Sequence, residues 1–253
     1  MATPLREVTP QSDALWQARV DLAAAHRLMS RFGWDDNIFN HLTHAVPGRN
    51  DQFLVKAHGL LMSEVTASNL IISDADGNIV EGDGVIERSA LHIHAAIHLD
   101  NEDAACILHV HPPYGTWLAS IQDNRLKMTN QNTARFIDRI AYDDVYNAGA
   151  VERGEGERIG GAFGAKRVAV HANHGVTTIG PSVAEAFYDL YYLEQVCMEY
   201  HLLYSSGAEP RVFSDEIART VQAQIDEDRP VDVELTLAAW KRVLDREQPD
   251  YKE

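Results

Sequence analysis

The run Cys106-Ile107-Leu108-His109-Val110-His111-Pro112-Pro113-Tyr114 sets the tightest limit on what this chain can become. Its apolar stretch from Ala105 to His111 predicts a buried strand, and two successive prolines end it because neither can donate to a β-ladder. Residues i and i+2 of a strand share a face, so His109 and His111 project together while Cys106, Leu108 and Val110 point the other way into apolar packing. Such a pair is either part of a metal site or two histidines satisfied by ordinary hydrogen bonds. With 12 histidines in the chain, chance pairs of this kind occur. His92-Ile93-His94 is the contrasting case: on the helix predicted there, residues two apart diverge by about 200° and cannot chelate one ion.

A third candidate lies in Val170-His171-Ala172-Asn173-His174-Gly175-Val176. Strands are predicted over 167–171 and 176–179, with Asn173, His174 and Gly175 in the turn, where Gly175 permits a sharp reversal. Alternation puts Val170, Ala172 and His174 on one side and His171 and Asn173 on the other. His174 is therefore the ligand candidate and His171 a structural residue.

Elsewhere, helical and strand patterns are mixed along the chain. Apolar residues at helical spacing predict a helix from Ser12 to Phe32, with Ser12 as its cap. Strands are predicted at 53–55, 70–73 and 79–80, with a turn over 74–78 between the last two. Further helices are predicted at 89–99, 114–121 and 182–203, the last started by Pro181 and Ser182. Phe187, Tyr188, Tyr191 and Tyr192 on it read as helix core or subunit contact. Residues 1–253 read as one domain, with roughly 205–253 a polar C-terminal extension carrying a weak amphipathic helix near 235–244. Cys106 and Cys197 are spaced for no metal motif and read as reduced core residues.

The formal charge of −16 disfavours nucleic-acid and anionic-membrane partners. No stretch approaches the roughly 20 apolar residues that span a bilayer, and the first residues lack the apolar core of a signal peptide, so a cytoplasmic protein is expected. Arg153-Gly154-Glu155-Gly156-Glu157 is too acidic to cradle phosphates and reads as a solvated loop, leaving no support for NAD or ATP.

Several ordered motifs together resemble the class II aldolase/adducin family. They are Phe39-Asn40-His41-Leu42-Thr43, Gly59-Leu60-Leu61-Met62-Ser63-Glu64-Val65-Thr66, His94-Ala95-Ala96-Ile97-His98, Ile107 to Pro113, Ile140-Ala141-Tyr142-Asp143-Asp144 and Asn173-His174-Gly175-Val176. The resemblance implies a three-layer α/β/α fold with a mixed central sheet, usually a homotetramer with sites between subunits, acting on a small-molecule substrate. It implies one divalent metal on His109, His111 and His174, zinc first, with manganese, cobalt or iron as alternatives. In the family, the ion stabilises an enediolate formed when a carbon bond breaks.

Two departures bear on the chemistry. Family aldolases carry a catalytic Glu where this chain has Ala90, and a phosphate-binding Ser-Ser pair where it has Arg88-Ser89. Glu87 is the expected substitute carboxylate, or else a solvated charge at a helix start. Arg88 is expected to hold a substrate carboxylate, or to be a surface arginine. The adducin-like bacterial branch is nearest in motif, and some family relatives are metal-dependent decarboxylases whose chemistry tolerates loss of that Glu. In that reading His94 or Tyr142 protonates the product, while Asn40, Thr43 and Lys56 lie on loops leading to the substrate. For Lys56 the alternative is an exposed charge at a strand end, the commoner setting for a lysine. The expected function is a metal-dependent carbon–carbon lyase, aldolase or decarboxylase in type; a non-catalytic adducin-like scaffold and a three-histidine Fe(II) oxygenase are the alternatives.

Overall fold

Eight strands make one sheet whose order decides where the histidines meet. The computed structural model describes residues 10–49, 51–147 and 153–253, giving only the backbone of residues 10, 11, 88–90 and 153. The strands are β1 (His41–Ala45), β2 (Gln52–Val55), β3 (Ile71–Asp74), β4 (Ile79–Glu81), β5 (Cys106–Val110), β6 (Ile140–Asp143), β7 (Val168–His171) and β8 (Gly175–Gly180). Their spatial order is β4-β3-β2-β1-β5-β8-β7-β6. All neighbours are antiparallel except β6 and β7, so the sheet is mixed, and β5 lies in its interior between β1 and β8.

The helices are α1 (Pro10–Phe32), α2 (Arg88–Asp100), α3 (Pro113–Ser120), α4 (Gln131–Ala134), α5 (Arg153–Ala162), α6 (Val183–Ser206) and α7 (Asp215–Glu247). On one face of the sheet, Leu42, Leu108, Val110, Val170 and Val176 pack against Leu22 and Leu28 of α1 and Phe187 and Leu190 of α6. On the other, Ile107, Ala141, Ala169 and Ile179 meet Ile93 and Ile97 of α2, Ile159 of α5 and Phe163 just past it. A sheet with both faces covered needs apolar residues at successive positions, and all of β5, β7 and β8 is buried. The three-layer α/β/α architecture with a mixed central sheet is thus the observed one. Cys106 and Cys197 are both free and buried.

Several elements differ from the sequence reading. Helix α1 starts at Pro10, so Ser12 lies inside its first turn and is not the cap. The segment Arg153 to Glu157 is the first half of α5 and not a solvated loop. Its glycine content reflects packing: a Cβ on Gly156 would lie 2.5 Å from the His92 carbonyl oxygen, so α5 approaches α2 closely there. The weak helix expected at 235–244 is the end of the 33-residue α7, capped by Ser214. Val233, Leu237, Trp240 and Leu244, spaced by four and three, pack into the main core. In the closing 3₁₀ turn Pro249–Lys252, Tyr251 is fully buried, its hydroxyl donates to Asp245 at 2.9 Å, and its carbonyl accepts from Ala67 N at 3.0 Å. Among the described residues no helix is long and apolar enough to cross a membrane.

Candidate metal centre

The site forms where β5 ends and the chain turns from β7 into β8. His109 sits in β5 with His41 of β1 opposite on one side and Thr177 of β8 on the other. His111 follows the strand, and Pro112 caps α3, which begins at Pro113. In the β7–β8 turn, His174 N donates to His171 O at 3.1 Å and Asn173 N to Ala119 O at 2.9 Å, which ties the turn to α3. The left-handed residue is Asn173, with φ +57°, and not Gly175 as the sequence suggested. Gly175 is needed for space: a Cβ on it would lie 2.5 Å from His111 Cδ2 and 2.8 Å from the Val110 carbonyl oxygen.

His109, His111 and His174 each offer a nitrogen, all within 4.8 Å of one another. The Nε2 atoms of His109 and His111 are 3.3 Å apart. Two donors at 2.0–2.1 Å from a tetrahedral zinc would be separated by about 3.4 Å, so the spacing suits a shared ion. The Nδ1 atoms face outward, to Thr177 Oγ1 at 3.0 Å from His109 and to Asp36 Oδ2 at 3.1 Å from His111. This is the outer hydrogen bonding that orients ligating imidazoles. Burial first, and then the neighbouring histidines, hold His109 well below the usual histidine range and His174 down at about 4. Neutral imidazoles are what a metal ion requires, so these residues fit one divalent ion.

Other predicted residues gather on the α2-facing side of the sheet. His41 stacks on His109 with ring centroids 5.3 Å apart, and its Nε2 lies 3.4 Å from Glu87 Oε2. His94 meets His41 edge-on at 5.3 Å; its Nδ1 is 2.7 Å from Thr43 Oγ1, and its Nε2 is buried without a hydrogen-bond partner among the described residues. Thr43 also contacts His98 Nε2 at 2.8 Å, so its hydroxyl is engaged by two helix α2 imidazoles beneath the site. Lys56 is buried, which overturns the exposed-charge alternative. Its ammonium donates to Ile38 O at 2.8 Å and Leu60 O at 2.9 Å, and burial lowers its pKa against the pull of Glu64 and Glu87. Asn40 is 2% exposed, in the left-handed region with φ +65°, and neither amide atom has a hydrogen-bond partner among the described residues.

Tyr142 does not join this group. Tyr142 is packed against the core on the opposite face, its hydroxyl accepts from Leu126 N at 3.1 Å, and Arg125 lies over its ring at 4.2 Å. Strand alternation explains this: Ala141 and Asp143 take the α5 face and Tyr142 the other. Arg88 opens α2, but its side chain lies outside the described part.

Sequence reasoning missed His41, Asp36 and the partners of His171. Alternation within β1 puts His41 beside Thr43 on the His109 face, a signal available once the segment is read as a strand. His171 was expected to face away from the metal ligands. Instead its ring centroid is 6.2 Å from that of His109 and 6.2 Å from that of His174, because the turn after β7 breaks the alternation and brings His174 back.

With this geometry in place, comparison with known proteins identifies the family. Residues 20–201 match the family described as Class II Aldolase and Adducin N-terminal domain, and the chain belongs to it. A Caulobacter vibrioides protein named provisionally as an aldolase class 2 protein is 34% identical over 95% of this chain and 93% of its own length. The crystal structure of an aldolase II superfamily protein from Pseudomonas syringae superposes with TM-score 0.89, 34% identity and 98% coverage of both chains. Alpha-adducin of Rattus norvegicus is 32% identical over 82% of this chain, which spans 29% of adducin.

Proposed function

We propose that this protein is a metal-dependent carbon–carbon lyase that cleaves or decarboxylates a small hydroxylated carbonyl or carboxylate compound. The observation that carries this reading is the convergence of the His109, His111 and His174 nitrogens within 4.8 Å. A divalent ion held by them, zinc in this reading, supplies Lewis-acid polarisation of substrate oxygens.

The chain's own residues supply proton handling and substrate recognition. Glu87, against His41 at 3.4 Å, takes the role of the carboxylate that family aldolases carry at the position of Ala90, moving a proton to or from the reacting carbon. His41 orients it, and His94 acts at one remove by packing edge-on against His41. Asn40, with both amide atoms unpartnered, and Lys56, with two of its three N–H donors on carbonyls, hold an anionic substrate group. Exposed Phe39, Val145 and Tyr146 are covered by neighbouring subunits of a homotetramer.

The test is metal analysis coupled to a screen of hydroxy-carboxylates, aromatic dicarboxylates and sugar phosphates, with carbon dioxide and aldehyde both measured. Glu87→Gln is expected to keep one equivalent of metal and lose roughly 10²–10⁴-fold in kcat. Undiminished turnover in that variant rules out its proton role. The 32% identity to rat alpha-adducin favours a second reading, a non-catalytic scaffold; metal uptake with no turnover across the screen would support it.

A further inference from the structure

A row of four side chains crosses the sheet beneath the metal site. His109 Nδ1 is 3.0 Å from Thr177 Oγ1, and the same oxygen is 3.0 Å from His171 Nε2. His171 Nδ1 faces Asp143 Oδ2 at 3.5 Å, and Arg158 grips that carboxylate through both terminal nitrogens, at 2.7 and 3.1 Å. The row follows register across β5, β8, β7 and β6: His109 opposes Thr177, and His171 opposes Asp143. All four side chains are buried.

We propose that Asp143, acting through His171 and Thr177, selects the tautomer of His109 that binds metal. This rests on the three-histidine site argued above. Each partner's donor and acceptor capacity fixes the direction of the chain. An ionised carboxylate only accepts, so His171 must carry its proton on Nδ1 and present a bare Nε2. A bare Nε2 only accepts, so Thr177 must donate its single O–H there. The remaining lone pairs of Thr177 Oγ1 then accept from His109 Nδ1, which leaves His109 Nε2 without a proton and facing His111 and His174. Were Thr177 to donate to His109 Nδ1 instead, His109 would carry its proton on Nε2, the nitrogen that should hold the ion.

The environment keeps Asp143 ionised. Burial alone would raise its pKa, but the facing His171 imidazole and the Arg158 guanidinium hold it well below the usual carboxylate range. Arg158 is itself anchored by Glu155 Oε1 at 2.7 Å, which fixes the guanidinium that pairs with Asp143. Asp143 touches none of the three ligands and is a positioning residue. The other ligand with an outer partner, His111, meets its carboxylate directly at Asp36, which is 56% exposed. His109 is served instead by a carboxylate shielded from solvent and two residues away.

The tautomer can be read without metal or turnover. In metal-free protein with ¹⁵N-labelled histidine, nitrogen chemical shifts should show the Nδ1–H form at His109 and His171. Thr177→Val cuts the row without changing its shape, and Asp143→Asn lets an amide N–H face His171 Nδ1 and reverse it. Both are expected to shift His109 towards Nε2–H and to weaken binding of Zn(II) and Co(II), measured by chelator competition, about 10–100-fold. Thr177→Ser should restore both. Adding Asp143→Asn to Thr177→Val should cost no further affinity, since the link is already broken. If Asp143→Asn does not fold, Thr177→Val and Thr177→Ser decide the matter alone. An Nε2–H tautomer at His109 in the parent, or a Thr177→Val variant binding within about twofold of it, overturns the proposal. A parent that shows the expected tautomer yet takes up no metal overturns the three-histidine reading and leaves the tautomer row standing.

Discussion

Gly175 and His111 occupy adjoining space so closely that a single methyl on the glycine would reach within 2.5 Å of the imidazole Cδ2. Gly175→Ala must therefore move either His111 or the Val110 carbonyl. Overpacking of this kind destabilises by about 1–3 kcal/mol. If the strain falls on the imidazole, metal affinity drops about tenfold or more. Thermal unfolding of metal-free protein, beside chelator competition, measures the two effects; a variant equal to the parent in both would show that the ring has room to relax.

Tyr251 tests whether the last helix and turn belong to the main core. Its ring is fully buried and its hydroxyl bonds Asp245 at 2.9 Å. Tyr251→Ala should cost about 3–5 kcal/mol in denaturant unfolding, as large aromatic truncations in cores do. A loss below about 1 kcal/mol would mean that the tail is only loosely applied.

Glu194 gives a pH dependence with a definite sign. From α6 it accepts Tyr114 N at 2.9 Å and Gly115 N at 2.7 Å in the first turn of α3, yet burial pushes its carboxyl up to about 7. Between the unfolded value, about 4.3, and 7, the folded state binds more protons than the unfolded state, so this group's contribution falls as pH rises. Relative to the parent, Glu194→Gln should therefore gain on the order of 3 kcal/mol from pH 4.5 to 7. Denaturant titrations at several pH values check it, and a constant difference would refute it.

His26 contributes with the opposite slope. It is fully buried in α1 with Nδ1 2.8 Å from Leu22 O, and burial holds it down at about 3, with Lys56 adding to the effect and the Leu22 carbonyl opposing it. Its stabilising contribution is complete above about 6.5 and is lost as pH falls towards 3, because the unfolded chain takes up the proton first. His26→Leu should remove that decline, gaining on the parent by an amount on the order of 4 kcal/mol across the window. Parallel stability curves for the two proteins would exclude His26 as a source of acid sensitivity.

The parts of the fold that could be read from sequence are those where one physical signal dominated. Apolar runs marked β5, β7 and β8, and the Asp74-to-Asn78 turn was legible because Asp74 Oδ1 accepts from both Asp76 N and Asn78 N. Strand β1 was opaque, since His41, Thr43 and His44 give no apolar alternation; the inward Thr43 hydroxyl is satisfied by imidazoles on α2 that only the tertiary structure brings near. Glycines hid α5 for a similar reason, because one of them, Gly156, serves a close contact with α2 that the sequence does not show. At the site, the His109–His111 pair followed from strand periodicity. The burial of Lys56 against two carbonyls and the return of His174 through an Asn173 turn depend on contacts that sequence spacing does not encode.

The pairing of β5 with β8 also bears on the order in which the chain acquires its properties. His109 and His111 are made long before His174, with β6, α5 and β7 intervening, so no local segment can assemble the three nitrogens. Closing that long loop must precede any gain from chelation, so metal competence depends on the long-range pairing of β5 with β8. Tight uptake of an ion by freshly refolded protein would then report that β5 has met the β7–β8 hairpin.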